Sequence, residues 1–391
     1  MPSLSVSRVG FTRVVAAAAL SAACGALVVA APAQRPAPKA DQKPDPAAQA
    51  QAMAQQQEIQ SLVRIADAAM GGQQAPAEFP IQFQNDFLRA QGTRVWVPIT
   101  LTVDPAKLSS GALTLYLRVV PRGMTAPPAP TAPAAAPDKN AKDNKDNKDK
   151  KKDAKTPAAA APPPAPAYPF EDASFLDLKP AAGQPLRIAR GIGVPAGSYD
   201  LYIVLHERGA AGAPAAGTAA GGKTSVLKQP LDVPNFATDF STSSVILAER
   251  VEQLTAPITP DQQSEHPYAF GQTEIVLSPE HKFKKSQELI VLLQIYNPAL
   301  TPEKKFNLEA TYTFFRQDAG AEKRFNSTEP QVFSSDTMGA GFDPAGNSSI
   351  QAGQGVPLQS FPEGAYRLEI KITDKTSAKV LTQNVNFTVT P

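Results

Sequence analysis

The sequence predicts an all-β protein of two tandem antiparallel β-sandwiches, and three observations carry that reading. Apolar residues alternate with polar ones over most of the chain after residue 79, the period of strands with one face in a core. No run with helical spacing occurs after Met70, so the strands must pair directly rather than through helical crossovers. A block built on glycine, tyrosine and alternating apolar residues occurs twice, in the same order.

The 391 residues carry a formal net charge of +2, so nothing global argues for nucleic acid or an anionic membrane as partner. Residues 1–33 read as a secretion signal. Arg8 and Arg13 supply the positive region, Val14–Val29 is apolar, and Ala31-Pro32-Ala33 offers a small-x-small cleavage site. A retained membrane anchor is the alternative. Cys24 is the only cysteine, and a lipoprotein would need a large aliphatic residue three places before it, where Ser21 stands. Cleavage after Ala33 leaves a mature chain with no thiol, which excludes disulfides, cysteine nucleophiles and cysteine metal sites. The expected location is periplasmic or secreted, with no transmembrane segment after cleavage and lipidation at Cys24 as the minor alternative.

Residues 34–51 are rich in proline and alanine and read as a disordered tether. A short amphipathic helix is expected over 52–72. Ile59, Leu62, Val63, Ala66 and Met70 fall at helical spacing, and Gly71-Gly72 stops the run. Such a helix must dock, and the first sandwich is the expected surface.

The first sandwich is expected over 79–234. Val95, Val97, Ile99, Leu101 and Val103 alternate with Trp96, Pro98, Thr100 and Thr102. Leu113, Leu115, Leu117 and Val119 alternate with Thr114, Tyr116 and Arg118. An insert over 123–168 then interrupts the pattern with proline, alanine, lysine and aspartate. It cannot bury apolar surface and reads as a disordered loop inside one domain, with an interdomain linker as the runner-up. Strands resume at Phe170–Leu178, Leu186–Ile192, Tyr199–His206 and Ser225–Val233. Residues 235–266 read as a connector in which Ser244–Arg250 adds at most an edge strand. The second sandwich, 267–391, takes Glu274–Leu277, Leu289–Tyr296, Leu308–Phe315, Tyr366–Ile372 and Val380–Val389.

The repeat ties the two halves together. Pro195-Ala196-Gly197-Ser198-Tyr199-Asp200-Leu201-Tyr202-Ile203 matches Pro362-Glu363-Gly364-Ala365-Tyr366-Arg367-Leu368-Glu369-Ile370. A second block aligns Val226–Val233 with Val380–Phe387. A glycine turn followed by a strand-opening tyrosine resembles the penultimate strand of immunoglobulin-like domains, where the tyrosine bonds back to the backbone.

No residue is assigned a catalytic, cofactor-binding or metal-ligating role. Asp239-Phe240-Ser241-Thr242-Ser243 has the letters of a von Willebrand factor A metal site but lacks the parallel strand and following helix that such a site needs. Gly217-Thr218-Ala219-Ala220-Gly221-Gly222-Lys223-Thr224 spells a phosphate loop, yet a strand and not a helix follows it. His206, His266 and His281 have no second ligand at metal spacing, and His206 reads as a solvated strand end. Trp96, Tyr116, Tyr268, Phe270, Tyr296, Tyr312 and Phe314 are the aromatics that could stack on sugars. Trp96 and Tyr116 fall on the polar register and are the two expected to be exposed.

The stretch Phe325–Phe333, followed by Ser360–Lys375, resembles uncharacterised secreted bacterial proteins with tandem immunoglobulin-like segments. Some of these carry the segments behind a von Willebrand factor A-related domain. The resemblance covers the last third of the chain and implies no catalytic residue. The expected function is that of an exported, non-catalytic structural or protein-interaction module of the bacterial envelope, with a protein or envelope component as partner and no cofactor. Two alternatives stand beside it: a carbohydrate- or envelope-binding module using exposed aromatics, and a hydrolase with an unrecognised site.

Overall fold

A computed structural model describes residues 46–90, 92–124, 168–179, 184–208, 222–278, 280–318, 320–339, 342–343 and 348–391. The signal, Cys24, most of the tether, most of the 123–168 insert and the start of the phosphate-loop match lie outside the described residues.

Helix α1 is Pro46–Met70. It begins six residues before the expected start, inside the stretch read as tether. Eight strands follow in the first half: β1 Gln82–Asn85, β2 Leu88–Arg89, β3 Arg94–Val103, β4 Ala112–Pro121, β5 Phe170–Asp177, β6 Leu186–Pro195, β7 Gly197–Glu207 and β8 Thr224–Val233. The second half holds β9 Ser241–Thr242, β10 Ile246–Gln253, β11 Ala269–Phe270, β12 Thr273–Leu277, β13 Lys282–Lys284, β14 Glu288–Tyr296, β15 Asn307–Asp318, β16 Ala321–Ser327, β17 Gln331–Ser334, β18 Ile350–Pro357, β19 Gly364–Asp374 and β20 Val380–Thr390.

Each half is a sandwich of two sheets. In the first, β1 and β2 lie end to end along one flank of β3, and β6 takes the other. The facing sheet has the order β5-β4-β7-β8. In the second, β9 and β10 lie along one flank of β14 and β18 takes the other, with β12 and β11 added outside β10. Its facing sheet runs β16-β15-β19-β20-β13, with β17 also on β15. Every pairing is antiparallel except β13 with β20.

The alternation places the cores. Val95, Val97, Ile99, Leu101 and Val103 of β3 meet Leu113, Leu115, Leu117 and Val119 of β4 in the first interior. Leu289, Val291, Leu293 and Ile295 of β14 meet Leu308, Ala310, Tyr312 and Phe314 of β15 in the second.

The repeat extends beyond the two tyrosines. β1 pairs with the late part of β3 and β2 with its early part; β9 and β10 do the same on β14. The 235–266 connector is therefore corrected. Its Ile246–Gln253 segment is not an edge strand but sits between β12 and β14. β9 has only two residues, and the eight of β10 bury the first three and expose the last four rather than alternating, so no period of two marks this strand.

Tyr199 and Tyr366 occupy equivalent places, each the third residue of its strand, opposite Leu231 and Phe387. Both are preceded by a glycine at positive φ, Gly197 at 154° and Gly364 at 140°. Tyr366 Oη donates to the Pro362 carbonyl at 2.6 Å and its ring stacks on Phe387. The final strands align two residues away from the expected match: Val233 is the counterpart of Val389, not Phe387. A shift of two keeps every side chain on its face, so the sequence pattern alone does not detect it.

Removing only the Tyr366 hydroxyl, as Tyr366→Phe, should lower stability by about 1 kcal/mol in urea unfolding. Tyr366→Ala leaves a void among Phe325, Phe361 and Phe387 and should cost about 3–5 kcal/mol.

Candidate functional site

Two places bring chemistry-bearing side chains together: the outer face of the β5-β4-β7-β8 sheet, and the junction between the sandwiches.

The sheet face is covered by α1. Leu62 and Ala66 are fully buried against Tyr116 and Val204. Around this patch lie polar groups that sequence alternation had assigned to solvent. Arg118, 2% exposed, forms ion pairs with Asp67 of the helix and Glu171 of β5. Tyr116 Oη donates to the same Glu171, and Thr114 Oγ1 bonds Glu58 of the helix. The Tyr168 ring lies 4.3 Å from the Arg118 guanidinium carbon. Tyr116 is thus 1% exposed, not solvated, because the helix supplies the second layer. His206 is also a correction. It is buried, with Nδ1 2.8 Å from Thr224 Oγ1, and burial pushes its pKa down against the opposing pull of Glu58, Glu207 and Glu78.

The junction joins equivalent positions of the two halves. The break between β1 and β2 meets the break between β9 and β10. Phe87 N donates to Ser244 Oγ at 2.9 Å, and Ser244 N donates to the Phe87 carbonyl at 3.0 Å. Leu88, Ile246 and Tyr268 are buried beside them, backed by Trp96, Phe270 and Leu292. Tyr268 Oη donates to Asp86 Oδ2 at 2.6 Å. Arg89 N donates to Tyr296 Oη at 2.9 Å, while the Arg89 guanidinium lies over the Tyr296 ring and bonds Asn297. Trp96 Nε1 donates to the Pro267 carbonyl at 2.9 Å, so the expectation that Trp96 stands free on the polar register is corrected as well.

The junction gathers Asp86, Ser244 and His281 from distant stretches, with Ser244 and His281 both close enough to draw the Asp86 pKa down. The arrangement is not a nucleophile relay. Ser244 Oγ accepts from Phe87 N, and His281 Nδ1 faces the Asn386 carbonyl at 3.1 Å. A relay needs the serine hydroxyl on the imidazole. His266 is likewise engaged, with Nδ1 2.9 Å from Glu274 Oε1. Asp86 was not singled out by sequence reasoning. Its only signal was a carboxylate between two short apolar runs.

The motif matches dissolve in the fold. Ser241 Oγ bonds the Asp239 carbonyl, and Ser243 Oγ bonds the Ser244 carbonyl and accepts from Gln294 N. Among the described residues no group of three or more His, Cys, Asp or Glu could hold a metal ion. Thr224 opens β8, and Lys223 Nζ donates to the Lys107 carbonyl at 2.5 Å. Tyr116, Tyr268, Tyr296, Tyr312 and Phe314 are buried, and Trp96 and Phe270 half-buried. Among the described residues no aromatic is exposed. No helix among them is long and apolar enough to cross a membrane.

No family model and no curated protein matches the chain. Among solved structures it is similar to a calcium-binding mutant of Bacteroides uniformis beta-glucuronidase 2, at 10% identity and a TM-score of 0.22. The likeness covers 78% of this chain and 32% of the glucuronidase chain. At that score it carries no argument.

Two substitutions probe these places. Arg118→Leu leaves Asp67 and Glu171 without their cation and should cost about 2 kcal/mol, with hydrogen exchange accelerating across Ile59–Met70 but not across β19. Gly191→Ala sets a Cβ 2.0 Å from Trp96 Cζ2. It should cost about 1–3 kcal/mol in thermal unfolding, against about 0.5 kcal/mol or less for Gly193→Ala, whose nearest neighbour is 3.8 Å away.

Proposed function

We propose that the chain is an exported structural or protein-interaction protein of the bacterial envelope, acting by presenting a joined pair of sandwiches rather than by catalysis. One observation carries the reading. The polar side chains that converge in the fold are committed to holding it together: Asp67, Arg118 and Glu171 fasten the helix, and Asp86, Ser244 and Tyr268 fasten the second sandwich to the first. The leader-like sequence at residues 1–33 supports export, and the resemblance of the last third to secreted bacterial proteins agrees with it.

The test is capture from an envelope fraction by the chain that starts at Gln34, immobilised through its C-terminus. Retention of a defined protein or envelope component, lost when the bait is unfolded, is the expected result. Turnover of an envelope polymer by the purified protein would overturn the reading, as would a bait that retains nothing above the unfolded control.

A further inference from the structure

We propose that the Asp86 carboxyl is a proton-operated clasp between the two sandwiches, holding the junction tight when protonated and loosening it when ionised. Asp86 lies in the break between β1 and β2, a half-buried residue whose carboxyl faces the second sandwich through Tyr268. The Tyr268 hydroxyl reaches it from the segment between β10 and β11. Ser244 faces it from the β9–β10 break, and the His281 imidazole from the turn before β13. On its own strand pair, the Asp86 amide is spent on the Pro98 carbonyl at 3.0 Å.

These groups do not compensate an anion equally. A carboxylate taken from water needs a cation or several donors. Here it meets two hydroxyls and a histidine whose Nδ1 is turned to the Asn386 carbonyl. Burial is the largest influence on Asp86 and raises its pKa above the ordinary carboxylate range, while Tyr268, His281 and Ser244 pull it back only in part. Tyr268 is pushed well up by the same burial and by Asp86 itself, so it remains a phenol and a donor. The carboxylic acid keeps the bond to Tyr268 and has no charge to solvate.

The linkage has a definite sign. When the closed junction has the higher pKa, its proton-derived stability is complete below the open-state pKa. It declines as pH rises toward the closed-state value and then levels off. The electrostatic pull of His281 opposes the trend, since it favours the anion. The seam of Leu88, Ile246, Tyr268 and Trp96 persists throughout. The response is therefore a looser separation of the sandwiches, not their dissociation.

The experiment reads the distance between spin labels on Lys179→Cys in the first sandwich and Lys371→Cys in the second, both exposed. The full chain after Ala33 is used, from about pH 4 to about pH 8, a range spanning the ordinary carboxylate titration and a raised one. A narrow distribution in acid that broadens with pH is expected. Asp86→Asn, a neutral isostere, should stay narrow throughout. Should that variant misfold, Tyr268→Phe replaces it: loss of a donor to the carboxyl should carry the broadening to higher pH. A width unchanged by pH in the parent chain sinks the clasp. So does an Asn variant that broadens like the parent, or a Phe variant whose broadening does not move.

Discussion

A β-sheet has two faces, and the first sandwich has to hide both sides of one of its sheets. The rest of the architecture follows from that constraint. The inner face of β4 and β7 closes the core against β3. The outer face carries Tyr116 and Val204, which water would solvate poorly, and α1 is laid across them. Polar side chains on the same face must then find partners away from water, since a buried charge without a counter-charge is costly. Arg118 meets Asp67 and Glu171, Thr114 meets Glu58, and His206 meets Thr224. The helix is thus a third layer of the first domain. Much of its helical stability comes from this docked half, because Ala47–Ala54 are exposed all round.

How much of this was legible depends on how many residues shared one environment. The ten-residue β3 and the eleven-residue β19 keep a period of two and declare themselves. β4 and β7 read as ordinary half-buried strands, although β7 buries Tyr202, Val204 and His206 as well as Leu201, Ile203 and Leu205. The near-continuous apolar run Leu201–Leu205 was the available sign of burial on both faces. The paired breaks at β1–β2 and β9–β10 were not legible, because the two-residue β2 and β9 have no period to detect and β10 buries its first residues in a block instead of alternating. The junction they build was invisible for a second reason. Asp86 and Tyr268 are 182 positions apart, and only the mutual placement of two finished sandwiches brings them together.

That placement uses the repeat economically. Where two copies of one sandwich follow each other in a chain, each carries the same irregularity in its first strand. Such a break frees backbone donors and acceptors that a regular ladder would have consumed. Phe87 and Ser244 satisfy each other's groups there, and the surrounding Leu88, Ile246 and Tyr268 exclude water. The weakest point of each sheet thereby becomes the point at which the halves are fixed. The amides of Asp86, Phe87, Ser243 and Ser244 all find acceptors in the paired breaks.

The β4–β5 hairpin has a consequence for how the protein tolerates change. Ala112–Val119 pairs with Phe170–Asp177, so the chain leaves and re-enters the sheet at neighbouring points on one rim. Whatever lies between those points is paid for chiefly in closure entropy, about 0.6 kcal/mol for each doubling of length. The rim works as an insertion port. Sequence there is free to lengthen, shorten or diversify over many generations, and a foreign module with adjacent termini could be spliced in while both interiors stay as they are.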